Sequence, residues 1–351
     1  MTPAPKILEC TLRDGSYVVD FQFNAEDTFR IARRLDELGF PFIEVGHGIG
    51  LGASERGMGT AAATDEKYMA AARKAVVHGQ WGMFCIPGIA ELSHLDLAAD
   101  NGMDFVRIGS EVADVEASKQ FIEKARKNEL FVFANLMKSY GSSPDEFGRQ
   151  AAKCVEYGAQ CVYIVDSAGG MLPAEIGEYF DAFRNIKPTV EIGFHGHNNL
   201  GMGVANALYC AGRGASVIDT SLQGFGRSSG NTQTEQFISA LIRAGHDVPY
   251  DPIDVMQAGE ELIRPLIHET GTSSLDVTAG LALFHSSYMK RVLAAAKKHR
   301  VDPRRVILAV CRRDRLNAPA ELIEEAALEV RQMHSTMSPL LVKQYFGEEQ
   351  T

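Results

Sequence analysis

Two histidines one residue apart, in His195-Gly196-His197-Asn198-Asn199, and the run Arg13-Asp14-Gly15 near the N-terminus supply the residue types of an open metal site. Side chains two apart on a strand face the same side, so each imidazole can direct one nitrogen at a single ion. Asp14 adds a carboxylate, and three protein ligands leave positions open for substrate, as catalytic sites do. Neutral imidazoles suit Mn²⁺, Co²⁺ or Zn²⁺, while the carboxylate adds hardness. A pair of core histidines satisfied by carbonyl groups would share the spacing; the company of Asp14 favours the ion. Asn231, in Gly226-Arg227-Ser228-Ser229-Gly230-Asn231, offers a further carbonyl oxygen or is simply a turn residue after glycine. Arg13 offers a guanidinium to an enolate or carboxylate oxygen beside the metal. Its other reading is an ion pair with a nearby carboxylate such as Glu44.

The elements that would hold these groups alternate regularly. Short apolar runs at 7–12, 42–45, 82–86, 105–108, 130–134, 161–165, 191–195 and 216–220 read as eight strands, separated by helical patterns such as 27–38 and 151–157. Eight βα units predict a (β/α)8 TIM barrel over residues 1–250, with a doubly wound sheet as the alternative. The strands are apolar throughout, as strands covered on both faces are, and helices end before Gly39 and Gly158. Arg13-Asp14, Glu44 with His47, Asn135, Asp166-Ser167, His195 with His197, and Gln223 all fall at or just after predicted strand ends, on one rim. His47 could touch substrate or only shape its loop, and Lys138 and Tyr140 read as a solvated rim. Beyond residue 250 helical patterns at 255–264, 282–299 and 320–333, with a turn at Asp302-Pro303, predict a helical C-terminal domain over 251–351 that contributes to the active site and to association.

Composition narrows the classes. The chain has 351 residues, 45% of them hydrophobic, enough for a large core. A formal charge of −10 with no basic run argues against nucleic acid or an anionic membrane as the main partner. Cys10, Cys85, Cys154, Cys161, Cys210 and Cys311 are scattered without a C-x-x-C pair, so free thiols are expected rather than disulfides or a zinc site. Neither a signal-peptide core nor an Arg-rich leader is visible in residues 1–6, and no apolar run approaches about 18 residues, so a cytoplasmic location is expected.

Five motifs, in order, then become specific: Thr11-Leu12-Arg13-Asp14-Gly15, Glu44-Val45-Gly46-His47-Gly48 continuing to Gly50-Leu51-Gly52, Val165-Asp166-Ser167-Ala168-Gly169, His195 to Gly201, and Gly224-Phe225-Gly226 to Gly230-Asn231. Together they resemble the pyruvate-specific aldolases of the DRE-TIM metallolyase (HMG-CoA-lyase-like) superfamily, in the 4-hydroxy-2-oxovalerate aldolase branch. The segment through His299-Arg300-Val301-Asp302-Pro303 is similar to that family's C-terminal domain. The resemblance implies a class II aldolase that cleaves or forms a 4-hydroxy-2-oxo acid through a pyruvate enolate, releasing or adding an aldehyde. It implies a divalent metal, Mn²⁺ favoured with Co²⁺, Mg²⁺ or Zn²⁺ as alternatives, held at Asp14, His195 and His197. It further implies that Arg13 stabilises the enolate, that Ser167 helps seat the pyruvate carboxylate, that the chain forms a homodimer and that an aldehyde dehydrogenase is a possible partner.

The chain also departs from the pattern. Tyr17 stands where the family carries its histidine base, and a phenol is the poorer base at neutral pH. In the C-terminal domain His285, before Ser286-Ser287, stands where the family has a tyrosine. A reciprocal exchange follows, with the imidazole acting from the other side of the site; otherwise Tyr17 only packs and His285 is an ordinary helix residue. Two other functions share the scaffold. A Claisen-type acyl-CoA condensing enzyme or lyase commonly has an acidic or amide residue soon after Arg-Asp-Gly, where this chain has Ser16-Tyr17. A biotin-dependent carboxyltransferase carries a lysine where Val165 stands. A retired metal-binding subunit would explain Tyr17 but not the retention of Arg13, Asp14, His195 and His197.

Overall fold

The computed structural model describes residues 4–268, 272–333 and 345. Eight parallel strands, β1 (Lys6–Glu9), β2 (Phe42–Val45), β3 (Gln80–Cys85), β4 (Phe105–Glu111), β5 (Phe131–Met137), β6 (Cys161–Asp166), β7 (Glu191–Gly196) and β8 (Val217–Thr220), close in sequence order into a barrel. β1 pairs with both β2 and β8, which closes the ring and removes every sheet edge.

The strand period of two sorts the interior into layers. Phe42, Phe105 and Phe133 meet edge to face at 5.4 to 5.6 Å between ring centres and, with Tyr163 and Val217, fill the lower barrel. Two residues further along β2, β4, β5, β7 and β8 the interior turns polar, with Glu44, Arg107, Asn135, His195 and Asp219 all buried. A Cβ on Gly193 would strike the Tyr163 ring, so glycine there makes room for the aromatic that supports the polar layer. Helices such as Ala25–Glu37, Pro144–Tyr157 and Thr234–Arg243 cover the outside; the first begins with an Asn24 capping box and the second ends at Gly158 with φ +117.

Several predicted boundaries move. β1 stops at Glu9, because the Glu9 carboxylate accepts from the Thr11 amide (2.9 Å) and the chain folds into the helical turn Thr11–Asp14. Arg13 and Asp14 therefore ride on a helical turn rather than a strand mouth. β5 runs to Met137, which places Asn135 inside the strand. Lys138 and Tyr140 are buried, not a solvated rim: the Lys138 ammonium donates to the Leu316 carbonyl at 2.9 Å and pairs with Glu111 at 3.1 Å. His47 shapes its loop, stacked on Phe21 with its ring nitrogens on Gly59 and Ile49 backbone groups.

Beyond the barrel, helices Ser274–Ala282, Met289–His299, Pro303–Arg313 and Ala320–Met333 share a second apolar core around Val292, Val306, Ile307 and Ile323. The pattern at 282–299 is two elements, not one helix. Leu283 adopts φ 54 and stops the first helix, and buried Phe284 anchors the turn that presents His285. Residues 269–271, 334–344 and 346–351 of the segment 251–351 lie outside the described residues. The cysteines among the described residues are all free thiols, and no described helix is long and apolar enough to cross a membrane.

Candidate metal centre

Asp14, His195 and His197 are buried and meet at the C-terminal rim, with one potential ligand atom from each lying within 4.8 Å of the others. Both imidazoles present Nε2 to the same carboxylate oxygen: His195 lies 3.4 Å and His197 4.0 Å from Asp14 Oδ2. β7 ends at Gly196, and His197 continues its line through an antiparallel bridge to Asn231, so the two rings stay on one side, 5.1 Å apart.

The far nitrogens are held as metal-ligating histidines are held. His195 Nδ1 donates to Asp219 Oδ2 at 2.8 Å and His197 Nδ1 faces the Gly230 carbonyl at 3.3 Å, which turns each Nε2 toward the centre, that of His197 also 3.2 Å from Arg227 Nη2. Burial, with Arg227 and His195 adding and Asp14 opposing, pulls His197 down to about 3, so its imidazole is neutral. Burial would lower His195 too, but hydrogen bonds to Asp14 and Asp219 raise it. Burial alone would lift the Asp14 carboxyl; Arg13 and both histidines hold it well below the usual carboxylate range. Asp14 Oδ1 and Asn231 Oδ1 are buried without hydrogen-bond partners. The Asp14 carboxylate, the orphaned Asn231 oxygen and the two imidazoles together form a donor set that fits a divalent cation.

A closed circuit of charge lies under the centre. Arg13 Nη1 reaches Asp14 at 3.2 Å and its Nε reaches Glu44 Oε2 at 2.8 Å. Arg107, fully buried, bridges that same Glu44 oxygen at 2.7 Å to Asp219, which holds His195. Three carboxylates face two guanidiniums, so the circuit carries one net negative charge and a cation above it is electrostatically welcome. Rings brace both cations: Arg13 and Arg107 lie over Phe84 at 4.9 and 5.8 Å, and Arg107 over Tyr163 at 4.7 Å.

Tyr17 and His285, far apart in sequence, flank one side chain. Arg227 Nη1 lies 3.0 Å from His285 Nε2, Arg227 Nη2 lies 3.2 Å from His197 Nε2, and the Arg227 guanidinium sits 5.6 Å from the Tyr17 ring centre. Gly48 admits Tyr17, since a Cβ there would approach its ring to 2.7 Å. Ser167 Oγ accepts from the Lys138 amide at 3.1 Å at the top of β6. Gln223 instead turns to Glu235 and fixes a loop.

Sequence reasoning missed Arg107, Asp219 and the role of Arg227. The signal was present for Arg107 and Asp219: a charge inside an otherwise apolar strand is a buried charge that needs a partner. Arg227 sits in a glycine-rich loop with no periodicity to place it.

Gly230 shows how tightly that loop is fixed. It has φ +82, and a Cβ would collide with the Gly224 carbonyl, whose oxygen accepts from the Asn231 amide at 3.0 Å. Gly230→Ala is expected to displace both Asn231 and the carbonyl facing His197, weakening divalent-metal affinity about 10- to 100-fold. Calorimetric Mn²⁺ titration of the variant checks this; unchanged affinity would remove the loop from the site.

A closed (β/α)8 barrel with an open set of two imidazoles and a carboxylate at its C-terminal rim defines a barrel enzyme. The chain belongs to the HMGL-like family, whose profile matches residues 4–262. It is 41% identical over 327 residues to "4-hydroxy-2-oxovalerate aldolase 2" of Rhodococcus jostii, covering 92% of this chain and 94% of that one. It is 34% identical over 322 residues to "4-hydroxy-2-oxovalerate aldolase 4" of Paraburkholderia xenovorans, covering 91% and 93%. Such relatives make it an enzyme of the carbon–carbon lyase class. Its fold is also that of the carboxyl transferase domain of Rhizobium etli pyruvate carboxylase with pyruvate and biocytin, at TM-score 0.77 and 16% identity, covering 98% of this chain and 65% of that one.

Proposed function

We propose that the chain is a divalent-metal-dependent pyruvate aldolase that cleaves or forms a 4-hydroxy-2-oxo acid. The observation that carries the reading is the convergence of Asp14, His195 and His197 beside the Arg13 guanidinium. A divalent ion at Asp14, His195 and His197, with Asn231 as a further oxygen ligand and Mn²⁺ favoured by the mixed imidazole–carboxylate set, would supply Lewis acidity to a 2-oxo carbonyl.

The chain's own groups then have distinct tasks. Arg13 spends Nε on Glu44 and Nη1 on Asp14, and its Nη2 makes no hydrogen bond among the described residues. That donor is placed for the oxygen that becomes negative when the C3–C4 bond breaks. Ser167 Oγ already accepts a backbone hydrogen bond, so its hydroxyl proton is left to donate to the pyruvate carboxylate. His285 pairs Nδ1 with Ser287 Oγ at 2.7 Å and turns Nε2 to Arg227 Nη1 at 3.0 Å, so it becomes the base for the C4 hydroxyl proton when the substrate draws that guanidinium away. Tyr17, on the other side of Arg227, is the candidate for a hydrogen-bond donor to the aldehyde oxygen, its phenol kept protonated because burial pushes it up. In cleavage the hydroxyl gives its proton to His285, the C3–C4 bond breaks, the aldehyde leaves and C3 of the enolate takes up a proton.

In this reading residues 1–250 form the catalytic barrel and 251–351 a helical domain that lends His285. A homodimer, an aldehyde dehydrogenase partner and a cytoplasmic location rest on the family resemblance.

Burial first, then the positive charges of Arg227 and Lys138 and the neighbouring His197, with Asp14 opposing, hold His285 well below its ordinary range. The imidazole is therefore neutral at pH 7, and this group alone leaves the rate flat from about pH 6.5 upward and lowers it only in acid as Nε2 protonates. His285→Asn is expected to lower aldol kcat about 10²- to 10⁴-fold and Tyr17→Phe about tenfold. Initial rates of pyruvate release from a 4-hydroxy-2-oxo acid measure both. Wild-type turnover in both variants would eliminate the exchanged pair.

A further inference from the structure

Polar atoms without partners divide into two kinds around the site. At the metal end they are acceptors, Asp14 Oδ1 and Asn231 Oδ1. Toward the C-terminal helices, besides the Asn199 Oδ1 acceptor, they include the Arg227 Nε–H, which can only donate, and the hydroxyls of Tyr140 and Ser286, which can donate or accept, all buried and without partners. Ser286 follows His285, which touches Arg227, and Tyr140 lies within the electrostatic reach of Arg227. The metal-end acceptors call for a cation; the Arg227 N–H, with two hydroxyls able to donate, suits an anion.

The charge count in this corner agrees. Arg227 forms no ion pair with a carboxylate among the described residues; its guanidinium faces two imidazoles and a phenol ring. The neighbouring cation, Lys138, is already paired with Glu111. The Arg227 guanidinium therefore has no carboxylate partner among the described residues, and a planar fork of N–H groups carrying one charge suits a carboxylate monoanion, bound in two-point fashion, better than a phosphate dianion. The nitrogen facing His197 adds to the demand, because a guanidinium on a histidine destined for a cation has a poor partner there.

Resting on the aldolase reading, we propose that Arg227, with Tyr140 and Ser286, binds a carboxylate on the aldehyde partner, so that the aldehyde taken or released is an oxo acid. The anion lies on the His285 side, where the aldehyde oxygen is handled, while pyruvate's own carboxylate is seated by Ser167. The reaction stays balanced without a further reagent. C3 of pyruvate loses one proton and forms a bond to the aldehyde carbon, and the aldehyde oxygen takes up one proton.

The test compares matched aldehydes with pyruvate and Mn²⁺: glyoxylate against acetaldehyde and 4-oxobutanoate against butanal, in wild type, Arg227→Gln and Arg227→Lys. The ratio of kcat/KM within each pair is the readout, since any loss in the shared pyruvate steps divides out. The wild type is expected to favour the carboxylate-bearing aldehyde of at least one pair by about 10- to 100-fold. Arg227→Gln should bring that ratio to about one, and Arg227→Lys, which keeps the charge but not the fork, should leave an intermediate ratio. Should Arg227→Gln fail to fold, the fall with lysine decides. A wild type that favours the neutral aldehydes, or ratios unmoved by both substitutions, would overturn the proposal. Pyruvate methyl-proton exchange in the wild type separates the two readings. Exchange without a carboxylate preference overturns only the anion site, whereas no exchange overturns the aldolase reading and this proposal with it.

Discussion

His195→Ala is expected to weaken Mn²⁺ binding by at least about 100-fold and to lower aldol turnover by about 10³-fold or more. The substitution removes one of the two imidazoles proposed to hold the ion and also strips Asp219 of the hydrogen bond at 2.8 Å that orients the ring. Asp219→Asn separates these effects. It keeps the imidazole but turns a pure acceptor into a group that can present N–H to Nδ1, so metal affinity should fall by a smaller factor, about 10- to 100-fold. Titration calorimetry of metal-stripped protein and rates at saturating Mn²⁺ measure both variants. Wild-type metal affinity in His195→Ala would take the histidine out of the site.

The second large effect falls on stability. Arg107→Met is expected to destabilise the fold by about 3–5 kcal/mol, because it leaves Glu44 and Asp219 as buried carboxylates without their shared cation. Arg107 is fully buried, and its side chain is the only described group that ties Glu44 to Asp219 across the barrel. Methionine matches the stem but carries no charge, so the circuit from Arg13 to His195 opens in the middle. At roughly 1.4 °C per kcal/mol for a chain of this size, the thermal midpoint should drop by about 4–7 °C. Arg107→Lys should recover only part of it, since a point charge cannot address two carboxylates as a fork does. A midpoint unchanged in Arg107→Met would mean that the circuit contributes nothing to stability.

Much of the barrel was legible because its physics is periodic. Buried strands 42–45 and 161–165 show as apolar runs, and glycines after Leu38 and Tyr157 mark where helices stop. What stayed hidden is aperiodic or long-range. Thr11–Asp14 reads as a strand end because nothing local reveals that the Glu9 carboxylate captures the Thr11 amide and coils the chain. Residues 282–299 keep a helical apolar phase on both sides of Leu283, so the left-handed turn that delivers His285 leaves no mark in the pattern. Lys138 looks solvated in sequence, yet its partners Leu316 and Glu111 arrive from 178 residues away and from the preceding strand. The one-residue spacing of His195 and His197 is local and visible; the circuit behind them joins Arg13, Glu44, Arg107 and Asp219 from four separate βα units and emerges only when the barrel closes.

The most direct measurement of the central claim is the exchange of pyruvate methyl protons in D₂O, followed by NMR with metal-stripped protein and again after Mn²⁺ is restored. Exchange requires only that the site bind pyruvate and stabilise its enolate, so it is independent of which aldehyde the enzyme prefers. Exchange is expected with Mn²⁺, none without it, and none in His195→Ala at any Mn²⁺ concentration the variant fails to bind. Mn²⁺-loaded wild-type protein that leaves the methyl protons in place would contradict the claim.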